Sequence, residues 1–241
     1  MESKIRVQKY IADCGVCSRR AAEALIKNGS VTINDKIACL GDKVSPLRAV
    51  VKIDGKIVKG YTSPKAYYML YKPRGYITAA KDKDGRKCVN DILKGERVRV
   101  YPVGRLDKDS EGLVIMTNDG VLANKLTHPK NHVPKTYRTI VGGKVDKSQI
   151  LKLQNGVYIE KGDYTSAPAE IEILEQLEDR CIVYITIYEG KNRQVRNMCE
   201  AVGLEVKRLK REKIGKLSIG TLRQGQYRKL TQKEIKYLES L

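Results

Sequence analysis

The sequence predicts an α+β fold in two parts: a small N-terminal domain with two helices on a short sheet, and a larger domain on a mixed, largely antiparallel sheet. Three observations lead there. Helix-spaced apolar residues open the chain, in two segments within the first thirty positions. Farther on, strand-like runs dominate, several of them apolar at every second position as half-buried antiparallel strands are. Between these regions the polar, turn-forming residues 59–64, from Lys59 and Gly60 to Ser63 and Pro64, read as a linker, so the expected domains are 1–62 and 63–241.

Each element has its own signal. An apolar-periodic segment from Ile5 to Ala12 breaks at Gly15, and a second helix follows with Ser18 as N-cap, Ala21, Ala22, Leu25 and Ile26 on its apolar side, and Asn28-Gly29 closing it. Short strands at 31–33, around Ile37 and Val44, and at 50–53 are separated by the turn pairs Asn34-Asp35, Gly41-Asp42 and Asp54-Gly55. Strands are then expected at 66–71, 98–101, 113–117, 137–141, 169–174 and 181–187. One helix starts at Asp146, where Gln149 completes a capping box and Gly156 supplies the stop; another ends the chain from Thr231 with Glu234 at the box position.

A chain of 241 residues buries roughly 70–75% of its unfolded surface and needs no covalent staples. Its 47 Lys+Arg against 28 Asp+Glu leave a net charge of +19, an excess that suits a polyanionic partner, and both parts share it: 12 basic and 6 acidic residues in 1–62, 35 and 22 in 63–241. No apolar run approaches the roughly 20 residues of a spanning helix and the N-terminus lacks a signal sequence, so nucleic acid is the expected partner and the cytoplasm the expected compartment. Six cysteines without framework spacing read as free thiols. Cys14 and Cys17 could pair with His128 and His132 as zinc ligands, but more than a hundred residues lie between the halves and no metal site is expected. Nothing reads as an obligate apolar interface, so a monomer is expected. Phe and Trp are absent, which puts some of the 14 Tyr in the core with their hydroxyls satisfied.

Four segments could carry chemistry. In residues 103–113, Asp107, Asp109 and Glu111 sit in a loop bounded by Gly104 and Gly112, and Arg105, two residues before Asp107, shares its face in an extended backbone. Taken on spacing alone, a solvated charged connection is the better account of that loop. In residues 188–203 a strand ends near Gly190 and enters a helix whose apolar positions Val195, Met198, Cys199 and Val202 leave Arg193 and Arg196 together on the first turns, suited to a phosphate or carboxylate or else simply solvated. Tyr137 lies on a strand among basic neighbours, where it could stack a base or sit in the core. Residues 207–213 are either an RNA-facing strip or a solubilising edge strand.

Taken together, these segments resemble the bacterial ribosomal RNA pseudouridine synthases of the RsuA/RluB family over nearly the whole chain. Residues 1–62 look like the RNA-binding module named after ribosomal small-subunit protein four, through the runs beginning at Arg6, Gly15 and Gly29. The Tyr-Lys-Pro-Arg-Gly run at 71–75, the Gly-Arg-Leu-Asp-Lys-Asp-Ser-Glu-Gly-Leu run at 104–113, the Lys-Thr-Tyr run at 135–137 and the Glu-Gly-Lys-Asn-Arg-Gln-Val-Arg run at 189–196 are similar to the family's motifs in the family's order. The resemblance implies that Asp107 is the catalytic aspartate, with Asp109 and Glu111 structural or solvated. It implies that Tyr137 stacks on the target uracil and serves as a candidate base, and that Arg196 pairs with Asp107. Arg105 would fill the place vacated by a flipped nucleotide, Arg193 and Gln194 would meet RNA beside it, and Arg6, Lys9, Arg19, Arg20 and Lys27 would contact RNA from the N-terminal domain.

The family reaction breaks the uridine glycosidic bond, turns the uracil and rejoins its C5 to the ribose, with no cofactor and no metal. Asn192-Arg193-Gln194 follows the RluB and RluF branches, which points to 23S rather than 16S rRNA, while Asn197 stands where the family commonly has a second arginine. A noncatalytic RNA-binding ribosome-assembly factor is the alternative, and Asp107, Tyr137 and Arg196, all retained, argue against it.

Overall fold

The computed structural model describes residues 4–59 and 64–241, so the centre of the expected linker and the boundary after residue 62 lie outside the described residues. The chain divides into two compact units, 1–65 with 97–99, and 66–96 with 100–241.

In the first unit, β1 (Ile5–Arg6) leads directly into α1 (Val7–Asp13), and Ser18 caps α2 (Arg19–Lys27) by accepting from the Ala21 N–H. Ala22 and Ile26, one turn apart, face inward and are buried. The strands are β2 (Val31–Ile33), β3 (Lys36–Ile37), β4 (Lys43–Val44), β5 (Val51–Ile53) and β6 (Lys56–Ile57). A four-stranded sheet runs β3-β2-β5-β6, and β1 pairs with β4. Asn34 and Asp35, and Asp54 and Gly55, all take positive φ, the backbone that lets a two-residue turn match strand twist. Val7, Tyr10 and Ile11 of α1 close this core against Val31, Val44 and Val51.

The second unit contains β7 (Tyr67–Lys72), β8 (Tyr101–Val103), β9 (Glu111–Thr117), α3 (Gly120–Thr127), β10 (Lys135–Gly142), α4 (Lys147–Asn155), β11 (Tyr158–Ile159), β12 (Tyr164–Thr165), β13 (Glu170–Gln176) and β14 (Arg180–Ile187). It continues through α5 (Gln194–Ala201), β15 (Val206–Ile214), β16 (Leu217–Ser218), β17 (Tyr227–Lys229) and α6 (Gln232–Ser240). One sheet runs β13-β14-β10-β15-β9-β7-β17, with β16 on β15 and β8 on β9; every pairing is antiparallel except β15 with β9. The expected mixed, largely antiparallel sheet is what forms.

Alternation along β7 and β9 builds two cores. Tyr68, Leu70, Val114 and Met116 face α4 and α5, whereas Met69, Tyr71, Leu113 and Ile115 face α3 and α6. Each fully buried aliphatic side chain contributes about 1.5–3 kcal/mol, which makes this central pair the rigid floor beneath the loops that leave it. The capping boxes at Asp146 with Gln149 and at Thr231 with Glu234 form as expected.

Two expectations change, and one helix is added. The strand expected at 98–101 is instead Tyr101–Val103, because pairing with Ile115–Thr117 of β9 selects that register. Residues 207–213 are not an edge: they lie within β15, between β10 and β9. Two of its charges are matched inside the sheet, Arg208 by Glu111 and Lys210 by Glu212 at 2.9 Å. Helix α3, capped by Asp119, was not anticipated.

Candidate active site

The loop of residues 104–110 leaves β8, whose partner is β9, and returns into β9 itself. It is held from beneath by Lys72, the last residue of β7. That side chain is fully buried and spends its three donors on the carbonyls of Pro73 (3.1 Å), Asp107 (2.9 Å) and Ser110 (2.6 Å). Burial pushes the ammonium down to about 8, against the pull of Asp107, Asp109 and Glu111. Thr78 adds a second anchor, donating to the Leu106 carbonyl at 2.6 Å and accepting from its N–H at 3.1 Å, and the Gly75 N–H reaches the Lys108 carbonyl at 2.7 Å.

So anchored, the loop turns the Asp107 carboxylate into a cleft of about 500 Å³, within the range of small-ligand pockets. Apolar side chains line it at Leu106, Ile187, Leu209 and Ile214, with Tyr137 among them. Tyr137 is 8% exposed on β10, where Arg211 of β15 and Ile185 of β14 are its cross-strand neighbours. Arg105, Arg193 and Gln194 line the same cleft, so five residues singled out in the sequence converge there, with Arg105 exposed at the surface.

The pairing of Arg196 differs from expectation. Its guanidinium lies 3.3 Å from an Asp109 carboxylate oxygen and donates to the Asp109 and Val206 carbonyls, both at 3.3 Å. It does not pair with Asp107, whose nearest cation is Arg193 at 3.9 Å. The reason is local backbone: helix α5 starts at Gln194, one residue after Arg193, which takes a left-handed φ of +48° as N-cap and swings its side chain over the loop. Arg193 therefore also holds Asp109, through two bonds of 3.1 and 3.3 Å. Burial acts to raise the Asp109 carboxyl, yet Arg193 and Arg196 hold it below its ordinary value. Asp109 is thus a structural clamp.

Glu111 is structural in a different way. Fully buried, it accepts from the Tyr71 hydroxyl at 2.8 Å and from Arg208 and Gln224. Its burial works against ionisation, but these donors keep the carboxyl below the usual range. Gln194, expected to meet RNA, is 3% exposed and bonds Glu189 with its amide N–H and the Lys191 N–H with its carbonyl, so it orders the turn before α5. Arg105 and Asp107 form no ion pair among the described residues: Arg105 is exposed at the surface, and the cation beside Asp107 is Arg193.

In the N-terminal unit Arg6, Arg19, Arg20 and Lys27 are exposed, whereas Lys9 is taken by Asp13 one turn on. Sequence reasoning gave no role of their own to Lys72, Lys135 and Arg211, although each lies in a run it singled out; a lysine closing the apolar run of β7 was the available signal for the first.

The Asp107 carboxylate, an aromatic face and several cations around an apolar cavity suit a planar base attached to a sugar phosphate. Residues 66–201 match the family described as RNA pseudouridylate synthase, and residues 5–46 match the S4 domain. The chain belongs to the RNA pseudouridylate synthase family. Within it, the chain is 45% identical to the ribosomal large subunit pseudouridine synthase B of Bacillus subtilis, over 98% of this chain and 96% of that one. It is 35% identical to the dual-specificity RNA pseudouridine synthase RluF of Escherichia coli, over 97% and 78% respectively. A crystal structure of a pseudouridylate synthase superposes with a TM-score of 0.69 at 30% identity, covering 97% of this chain and 99% of its own. The family membership, the fold class and the enzyme class expected from the motifs all hold.

Proposed function

We propose that this protein isomerises a specific uridine of ribosomal RNA to pseudouridine, with 23S rRNA of the large subunit as the target. The observation that carries the reading is the convergence of Asp107, Tyr137 and Arg193, remote in sequence, on one apolar cleft. Family membership and the name of the Bacillus relative support the reaction and the substrate.

In this reading Asp107 supplies the carboxylate that acts at the ribose, and Tyr137 supplies the surface on which the base stacks and is the candidate for moving a proton. The N1–C1′ bond breaks, the C5–C1′ bond forms, C5 gives up its proton and N1 takes one up, so atoms and oxidation state are conserved. Side chains can do this work by positioning and proton transfer. Because C5 is inaccessible in a stacked helix, the nucleotide must flip at a cost of a few kcal/mol. Exposed Arg105 fills the vacancy, and phosphate contacts on a +19 chain offset the cost. Arg6, Arg19, Arg20 and Lys27 of the S4 unit grip flanking RNA, raising the effective concentration of the target. We read the active species as a monomer.

The test is carbodiimide mapping of pseudouridine on 16S and 23S transcripts treated with wild type or Asp107→Asn. A single new stop in 23S, absent with the variant although RNA binding persists, is expected. Activity in the variant would overturn the role of Asp107, and a stop in 16S would reassign the substrate. RNA binding with no stop on transcripts or on ribosomal-protein-bound precursors would favour the assembly-factor reading.

A further inference from the structure

Two cations in the cleft have no part in the chemistry described so far. Arg211, on β15, is 3% exposed; its Nε donates to the Leu113 carbonyl at 2.8 Å, while its Nη2 is buried with no partner among the described residues. Lys135, on β10, donates one of its three N–H groups to the Val133 carbonyl at 2.9 Å. Neither forms an ion pair with a carboxylate among the described residues. Burial, with Arg211 next, pushes the Lys135 ammonium down to about 8, as expected of two cations sharing one poorly solvated space.

Their placement is specific. Arg211 is the cross-strand neighbour of Tyr137, and Lys135 lies two residues before Tyr137, so it leaves β10 on the same face. Both line the cleft beside the ring against which the base stacks. A buried donor with no acceptor is costly, and it persists where a ligand supplies the acceptor. The apolar walls of Leu106, Ile187 and Leu209 favour a planar heterocycle over a free phosphate.

Resting on the reading above, we infer that Arg211 and Lys135 read a carbonyl oxygen of the target uracil and hold the charge it gains as the base detaches. When the N1–C1′ bond breaks heterolytically, the bonding pair stays on the ring and spreads onto O2 and O4. Donors fixed in a poorly solvated cavity then bind the detached base more strongly than the intact nucleotide. If that oxygen is O4, the same donors oppose cytosine, where an amino group replaces the carbonyl. Arg211 and Lys135 would thus set the rate, and with a penalty at 4-thiouridine the base choice as well.

The experiment uses full-length protein and RNAs carrying uridine, 2-thiouridine or 4-thiouridine at the mapped target, because sulfur is the weaker acceptor. Single-turnover rates are compared for wild type, Lys135→Met and Arg211→Lys, the last able to keep the bond to Leu113. Wild type should lose roughly tenfold with one of the two thio substrates, with little change in RNA affinity. In either variant that thio penalty should shrink toward onefold, while the rate on uridine falls. An equal penalty in all three proteins, or none in wild type, would overturn the inference. If Arg211→Lys melts far below wild type, Lys135→Met decides alone. Wild type inert on the uridine RNA would overturn the functional reading itself, and this inference with it.

Discussion

Lys72 concentrates most of what positions Asp107. Three carbonyls converge on one buried ammonium, two of them from the loop that carries the aspartate. The group is depressed to about 8, against 10.5 for an ordinary lysine. Below pH 8 both folded and unfolded chains hold the proton, and the desolvation cost is present in full. Between 8 and 10.5 the unfolded chain binds more protons than the folded one, so this group's contribution to stability rises with pH. Activity should move the other way, because a neutral amine offers two donors to three carbonyls and the loop loosens. The turnover rate is expected to fall above pH 8 while the urea midpoint does not fall with it; parallel decline of both would contradict this. The motifs singled out Asp107, Tyr137 and Arg193, but not that Arg196 serves Asp109. That depends on Arg193 adopting a left-handed N-cap, a single dihedral with no signature in residue type.

The pairing of β9 with β15 is the one parallel contact in the main sheet, and it crosses close to the site. Gly112 makes it possible. Its φ is +113°, and a Cβ there would stand 2.3 Å from the Arg211 carbonyl oxygen. Gly112→Ala should therefore cost about 3 kcal/mol from backbone strain and overpacking together, measured as a lower urea midpoint. Gly104→Ala is the comparison: its φ of +71° is also strained, but the nearest atom to its Cβ would be Thr127 Cγ2 at 3.5 Å, so its loss should be nearer 1 kcal/mol. Equal losses would mean that the close approach to β15 is unimportant. Strands with clean alternation, such as β10 and β14, and helices with capping boxes, such as α4 and α6, were legible because their signals are local. Strand β15 was not: its charges read as an RNA-facing strip or an edge until Glu111, remote in sequence, is seen beside Arg208.

Net charge sets how the whole protein meets RNA. With +19 distributed over both units, affinity should fall steeply with salt, as released counterions demand. Arg19 and Arg20 are exposed on the first turn of α2, where the helix dipole already disfavours cations, so they gain most from a phosphate. Replacing both with Gln should reduce the slope of log affinity against log salt by about 1 to 2, leaving the turnover rate at saturating RNA unchanged. An unchanged slope in filter-binding titrations would remove these residues from the RNA contact surface.

Composition, periodicity and motif order by themselves determined the polyanionic partner, the α+β class and the family, because charge, alternation and capping are written in residues close together along the chain. Tertiary structure alone decided which cation meets which carboxylate. It put Arg196 on Asp109, Arg208 on Glu111 and Lys72 beneath the Asp107 loop, and it left Arg211 with a free donor in the cleft. Such pairings join strands remote in sequence, and in a chain with 47 basic residues no local pattern distinguishes the few cations that a fold buries from the many it leaves in water.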